Sequence, residues 1–292
     1  MIRDTSLGSR LFEAINVVIL LVVLFVTLYP LYSMAIISIS DGNAVLRGEV
    51  RLLPVGPTLE TYKLVFKDPW LLRSLGNSLL YTSLGTLINL VMTVLCAYPL
   101  SRPKLLGKSF YTLIVMFTLF FTGGLIPLYL LVIQLGLKNT MWALLLPVAI
   151  NPWYMFILRT SFQGIHEAII ESALIDGAND LQTLWRIVIP LSFPVLATLL
   201  LFYAVGQWNE WFNAIIFLDD RLKFPVQVVL RSIVLLGRME LRSEMWGASG
   251  MVIVEQSIKT ATIMVSTLPI LLVYPFVQRY FVKGVMIGAI KG

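Results

Sequence analysis

Apolar residues fill six stretches long enough to cross a bilayer, and polar or charged residues are gathered in the intervals between them. The stretches are residues 14–39, 77–100, 110–135, 141–158, 190–218 and 260–278. Each approaches the roughly 20 residues at 1.5 Å rise that a spanning helix needs. Only the fifth holds a charged side chain, Glu210. One interval breaks the pattern. Over residues 167–190 (EAIIESALIDGANDLQTLWRIVIP) Ile169, Ile170, Ala173, Leu174 and Gly177 recur at helical spacing, with Glu167, Glu171 and Ser172 towards the other side. This predicts a short surface helix that ends at Gly177, a residue free to take the left-handed conformation of a helix C-terminus. Turn residues follow. Asn179, with Gln182 three positions on, predicts a capped second helix through Leu181, Leu184, Trp185, Val188 and Ile189 to Pro190. The product is a helix, glycine turn, helix knob outside the bilayer, or equally an ordinary amphipathic loop helix between two spans.

Composition agrees with a membrane protein. The 292 residues are 58% hydrophobic and 13% charged, with a mean hydropathy of +0.86, outside the range of soluble domains. The formal charge of +6 is spread between apolar runs and forms no basic stripe, which argues against nucleic acid. The single cysteine, Cys96, lies in an apolar run and reads as a small buried residue. The first apolar run is too long for a cleaved signal peptide and is expected to remain as a span. Short loops set the orientation: Arg102, Lys104 and Lys108 against Lys138 alone place the amino terminus, the knob and the carboxy terminus on the inner side. Prolines recur within spans (Pro30, Pro127, Pro147, Pro152, Pro194, Pro269, Pro275), and Gly123-Gly124 before Pro127 is the expected point of flexure.

Several patterns resemble sites and fail on inspection. Gly107-Lys108-Ser109 looks like the end of a phosphate-binding loop, but Arg102 stands at the first glycine and no strand precedes it. His166-Glu167 starts a zinc-protease pattern, yet Glu171 occupies the second histidine's place and there is no other histidine. Gly284 and Gly288 have GxxxG spacing at the end of the last span. Glu210 lies about 20 residues, or roughly 30 Å, from Pro190 and so near the outer boundary. Trp208 and Trp211 beside it read as an interfacial aromatic belt. Asn209 and Glu210 read equally well as wet interfacial groups or, with Gln207 and Asn213, as the outer mouth of a substrate path. Tyr154 and Tyr203, with Trp153 and Phe156, could stack on a sugar ring, although packing is the commoner role of any one of them.

The spacing of Glu171, Ala173, Gly177, Ile187 and Pro190 resembles the cytoplasmic EAA loop of binding-protein-dependent ABC importers, with Ser172 and Ile189 as mild departures. Residues 203–217 (YAVGQWNEWFNAIIF) and the ending from Gln278 to Gly292 are similar to carbohydrate-uptake permeases related to the shorter membrane subunit of the maltose importer. The resemblance covers roughly residues 70–292 and implies an all-α, polytopic membrane protein with six transmembrane helices and the type I ABC importer fold. The implied organisation is residues 1–72 as first span and first outer loop, 73–280 as transport core with the coupling loop at 165–190, and 281–292 as a cytoplasmic tail. It further implies a non-enzymatic permease of the cytoplasmic membrane that moves a carbohydrate, in a subgroup associated with polysaccharide-derived and uronic-acid-containing oligosaccharides such as alginate or pectin fragments. The implied partners are a second homologous permease, two ATPase subunits that bind ATP and Mg, and an extracytoplasmic solute-binding protein; this chain itself holds no cofactor. ATPase docking would fall on Glu167, Ile170, Glu171, Ser172, Ala173, Leu174, Asp176, Gly177, Ala178 and Pro190. The binding protein would meet residues 235–257, where the run 238–244 departs from the family, and the tail would reach the ATPases through Gly288, Lys291 and Gly292.

Two other classes compete. A membrane-embedded enzyme should show paired carboxylates, a Ser/His pair or a metal set within the spans, and an ion-coupled carrier working alone should show inverted repeats and ionisable residues at mid-depth. Neither pattern is present in the sequence.

Overall fold

The computed structural model describes residues 7–236 and 255–289, with side chains for 8–234 and 255–273. By contacts the chain divides into two units, Met1–Pro69 with Ser232–Thr267, and Trp70–Arg231 with Leu268–Gly292. Among the described residues every regular element is helical.

In the first unit, α1 (Leu7–Ser38) is apolar on every face and none of its most apolar stretch is buried by the rest of the chain. Such a helix needs lipid or another subunit around it. After it, Asp41 accepts from the Asn43 and Ala44 N–H groups to cap α2 (Gly42–Leu46). The Thr58 N–H donates to Ile39 O at 2.7 Å and Ser38 Oγ meets Tyr62 OH at 2.8 Å, which fastens α3 (Glu60–Lys67) to the end of α1.

The second unit opens with α4 (Pro69–Ser101), longer at its start than the expected 77–100 because Pro69, at its first position, has no N–H to leave unpaired. The expected span 110–135 is two helices, α5 (Lys108–Phe120) and α6 (Leu125–Gln134), bent by 115°. Gly124 lies at φ +82° in the break, so the bend falls where Gly123-Gly124 predicted flexure. The expected span 141–158 is α7 (Trp142–Leu145), a non-helical stretch 146–151, and α8 (Pro152–Gln163). Pro147 and Pro152 mark the interruption: neither can donate, and Asn151 before Pro152 is extended, while Leu146 before Pro147 keeps helical angles. The expected span 190–218 is bent and broken too. After the knob, described below, α12 (Phe193–Trp208) turns by 83° from the helices preceding it and stops three residues before α13 (Phe212–Phe217). A 3-10 turn (Arg221–Lys223) and α14 (Val226–Leu236) follow, the end of α14 and the start of α15 (Glu255–Ala289) being counted with the first unit; α15 overruns the expected 260–278 at both ends, so Gly284 and Gly288 belong to one continuous helix. Among the described residues three helices are long and apolar enough to cross a membrane, or up to five if each bent pair is one span.

Two apolar cores hold this unit. One joins Val94, Ala97 and Tyr98 of α4 to Met155, Leu158 and Phe162 of α8 and to Leu199 and Tyr203 of α12. The other gathers Tyr81, Val132, Leu144, Leu145, Ala214 and Phe217. Beside it, Asn139 works as a clamp. Its φ of +61° is unusual outside glycine, and its Oδ1 accepts from both the Asp219 and Asp220 N–H groups at 3.2 and 3.1 Å. Its own N–H donates to Phe217 O, and its carbonyl accepts from Lys223 Nζ at 2.7 Å. The adjacent Lys138 pairs with Asp219 at 3.1 Å, and that hydrogen bond raises its pKa. Asn139→Ala forfeits two acceptor contacts and puts a Cβ-bearing residue with no local compensation in the left-handed region, an expected loss of about 2 kcal/mol. Asn139→Gly keeps the backbone and should lose about half of that. Thermal unfolding midpoints of the purified variants check the order.

Candidate functional site

The knob is built by local sequence. His166 precedes α9 (Glu167–Ile175), and Asp176 closes it. Gly177, at φ +84°, donates to Leu174 O at 3.1 Å, and Ala178 donates to Ala173 O at 2.9 Å. These two bonds are the Schellman pair that satisfies the last carbonyls of a helix. Asn179 then opens α10 (Asp180–Thr183): its Oδ1 accepts from Gln182 N at 2.8 Å, and Gln182 Oε1 accepts from Asn179 N at 3.0 Å. The capping box expected from sequence is present in both directions. The single helix expected from Asn179 to Pro190 is not. The chain widens into a π turn over Leu184–Val188 and ends in α11 (Ile189–Leu191). Pro190 supplies the reason, since it offers no N–H to the carbonyl four residues back.

The apolar side of the knob divides between two duties. Ile170 and Ala173 of α9 are buried against the chain itself, and Leu184 and Val188, four apart, enter the core with Phe162 and Leu158. Ile169, Leu174, Ile175, Leu181 and Trp185 stay open, Ile175 at 85% exposure. The resemblance placed docking on Ile170, Ala173 and Leu174 together; only Leu174 of these presents a side chain outwards. Glu167, Glu171, Ser172, Asp176 and Gly177 are exposed beside it, Ala178 is half-buried and Pro190 is exposed. Burial of Leu184 and Val188 makes the knob continuous with α8 and α12.

Inside the helices lies a polar seam. Gly85, Asn89 and Thr93 repeat at four-residue intervals on α4 and face Gln207 and Tyr203 of α12. Gln207 Nε2 donates to Asn89 Oδ1 at 2.9 Å, and the Asn89 amide donates in turn to Val148 O. Thr93 Oγ1 and Tyr203 OH are 2.6 Å apart, and Tyr203 OH also accepts from the Asn151 N–H at 3.3 Å. Asn151 Oδ1 caps α8 by accepting from Tyr154 N. Two of these bonds serve the backbone of 146–151, the stretch with no helix to satisfy it. Non-helical backbone within a bilayer requires this kind of internal partner. Tyr154 packs edge-on to Tyr203 at 4.9 Å. Asn89 is 1% and Tyr203 5% exposed, so these two members of the seam are closed off from solvent, while Tyr154 and Gln207 are half-buried.

The outer group divides as well. Trp208, expected in an interfacial aromatic belt, is buried within the chain at 3% exposure. Trp211 carries the Arg231 guanidinium 3.9 Å from its ring centre. Glu210 Oε1 accepts from Asn213 N at 3.0 Å at the start of α13, and Asn209 Nδ2 donates to Val205 O. Both side chains therefore have local backbone work at a helix break. The sequence reading missed Gly85, Asn89, Thr93 and Asn151; the signal was the spacing of small and polar residues at 85, 89 and 93 within an apolar run. The binding-protein region 235–257 lies mostly outside the described residues, including 238–244, as do Lys291 and Gly292; Gly288 lies within α15.

Comparison with known proteins bears on all of this. Residues 89–287 match the family "Binding-protein-dependent transport system inner membrane component". Protein LplC of Bacillus subtilis (strain 168) is 41% identical over 99% of this chain and 98% of its own length. The polygalacturonan/rhamnogalacturonan transport system permease protein YtcP of the same organism is 41% identical over 97% of this chain and 99% of its own. Among solved structures, a bacterial ABC transporter involved in the import of the acidic polysaccharide alginate has a chain 34% identical, with a TM-score of 0.90 over 95% of this chain and 99% of that one. A second alginate transporter structure, at 15% identity and a TM-score of 0.62, shares the fold.

Proposed function

From the premise that this chain belongs to the family of binding-protein-dependent transport system inner membrane components, we propose that it is one half of the pore of an ATP-driven importer for acidic oligosaccharides. It is a permease of the inner membrane and of the sugar ABC transporter kind. The finer reading has the knob and both termini in the cytoplasm. ATPase subunits, which bind ATP and Mg, seat on the open face of Ile169, Leu174, Ile175, Leu181 and Trp185. A second permease completes the pore, and a solute-binding protein delivers cargo from outside. The observation that carries it is the knob, open on one face and rooted in the core through Leu184 and Val188 on the other. A nucleotide-driven movement of the ATPases then becomes a rigid-body movement of α8 and α12.

Acidic cargo is supported by two similar proteins, one named for polygalacturonan and one for alginate. It is also supported by charge around the Asn139 clamp and the 209–223 stretch, where Arg73, Lys138, Arg221, Lys223 and Arg231 outnumber Glu210, Asp219 and Asp220. A cationic rim raises the local concentration of an anionic sugar. The polar seam, with Tyr154 and Tyr203, supplies amides, hydroxyls and rings for a sugar once the helices part. The test is ATP hydrolysis and uptake by the reconstituted assembly with its binding protein, offered oligogalacturonate, oligoalginate or a neutral maltooligosaccharide. Stimulation by the acidic sugars alone supports the reading. Stimulation by the neutral one alone defeats the cargo assignment, and uptake by the chain without any ATPase defeats the importer mechanism in favour of a carrier.

At the docking face, Ile175→Asp places a charge where a partner groove should close, and Glu171→Lys reverses the charge beside it. We expect Ile175→Asp to weaken ATPase association by at least about tenfold and Glu171→Lys by a few-fold, as core and rim positions of an interface differ. Co-purification of the ATPases with each variant measures both.

A further inference from the structure

We propose that the cavity between α5 and α8 is a binding site for the headgroup of an anionic phospholipid. The cavity holds about 280 Å³ and is lined by Lys108, Ser109, Thr112, Leu113, Met116 and Arg159. Two cations and two hydroxyls at one end give way to two apolar side chains at the other. Lys108 and Met116 are eight residues apart on one helix, about 12 Å. That gradient, from charge to hydrocarbon over about two turns, is the profile of a phospholipid at the membrane boundary, whereas a free phosphate would use only the first end.

Three features of the chain are left incomplete without an anion there. First, α5 begins at Gly107 with no side-chain cap, no acidic residue in its first turn, and Lys108 as its first residue. A helix N-terminus carries partial positive charge, so a lysine there is opposed by the helix dipole until a negative group joins it. Second, Thr112 lines the cavity and its hydroxyl has no hydrogen-bond partner among the described residues; closed to solvent as it stands, it would meet an anion only by turning about χ1. Third, Arg159 commits its Nε to Leu100 O at 3.0 Å and packs over Phe156. That fixes the guanidinium at the cavity wall, while Lys108 Nζ reaches only Ser101 O at 3.5 Å. Outside the cavity α5 has no buried residue, and Leu113, Phe117 and Phe120 are exposed along it, an open track for acyl chains. Basic pockets between spanning helices are known lipid-headgroup sites on physical grounds. Lys108 and Ser109 of the Gly107-Lys108-Ser109 sequence, rejected as a nucleotide loop, form the polar end of this site.

The inference needs only that the chain spans a membrane, and the readout does not depend on transport. The assembled transporter, in wild-type form and as variants, is incorporated into bilayers of phosphatidylcholine with phosphatidylglycerol, released, and weighed intact by native mass spectrometry. The wild type should retain phosphatidylglycerol over phosphatidylcholine. Lys108→Gln with Arg159→Gln should lower that preference about thirtyfold, the weight of two near-surface cations. Because Arg159 also braces Leu100, Lys108→Glu alone is the second variant and should lower it by at least as much. The exposed Lys104→Gln should leave it unchanged. Retention equal to wild type in both cavity variants overturns the proposal. So does displacement of the bound anion by inorganic phosphate with no lipid adduct, which would make the source free phosphate. A side chain of a partner subunit filling the cavity in the assembled transporter overturns it as well.

Discussion

Gly177→Leu is expected to abolish ATP-driven uptake while the protein still inserts and folds. A Cβ at residue 177 would meet nothing within 4 Å, so no clash inside the chain accompanies the change. What changes is the backbone: at φ +84° a residue with a Cβ is strained by roughly 1–2 kcal/mol. That strain is comparable to the worth of the two bonds from Gly177 and Ala178 that end α9. Leucine adds a branched side chain to the surface on which the ATPase is proposed to sit. A graded series separates the two causes. Asparagine, which tolerates the left-handed region, should retain most of the uptake. Alanine should fall about tenfold, and leucine below detection. Uptake normalised to membrane protein level measures the series. Wild-type uptake by Gly177→Leu would remove the knob from the mechanism, and equal failure of asparagine and leucine would assign the defect to the bare surface of glycine and not to its backbone.

The second large effect is expected at Asn89, where leucine should cost more stability than any single change elsewhere in the seam. Asn89 serves two partners at once, and its loss takes the hydrogen bond from both the Val148 carbonyl and the Gln207 amide at a position that is itself 1% exposed. At about 1–3 kcal/mol for each unpaired group, the sum is roughly 2–6 kcal/mol, with the lower part of that range expected within a bilayer. Tyr203→Phe should cost less, because the Thr93 hydroxyl can turn to a carbonyl of its own helix and only the Asn151 N–H is left alone. Gly85 tests the geometry of the same crossing. An added Cβ there would stand 2.7 Å from Gln207 Cδ. Gly85→Ala should therefore destabilise the wild type and become neutral or stabilising in a Gln207→Ala background, where alanine's helix preference over glycine is unopposed. Thermal unfolding of the purified assembly provides all four values. A Tyr203→Phe loss larger than that of Asn89→Leu would mean that the seam is held from α8 and not from the loop before it.

These two predictions draw on different kinds of legibility. The knob was readable because its determinants are local. A glycine after a helical run and an asparagine three residues before a glutamine act within one or two turns, and Gly177 and Asn179 behave as their neighbours dictate. The same locality let Gly123-Gly124 announce a bend. Which half of the knob's apolar stripe faces outwards was not readable. Ile170 and Ile169 are chemically the same, and only the position of the neighbouring helices buries one and leaves the other open.

By itself, then, the sequence determined that this is a helical membrane protein with an amphipathic, glycine-hinged knob at 167–190. Apolar length, turn chemistry and capping are properties of short stretches and survive without tertiary context. Only the tertiary structure decided how the spans are interrupted and what the polar residues inside them do. Prolines mark possible breaks, yet the break at 146–151 is stable because distant groups satisfy the backbone it exposes, whereas the one at 209–211 is served by its own neighbours. Asn89 and Tyr203 reach 146–151 across 59 and 52 residues of chain. Such bonds depend on where two helices cross, and no periodicity along one helix records where its neighbour lies.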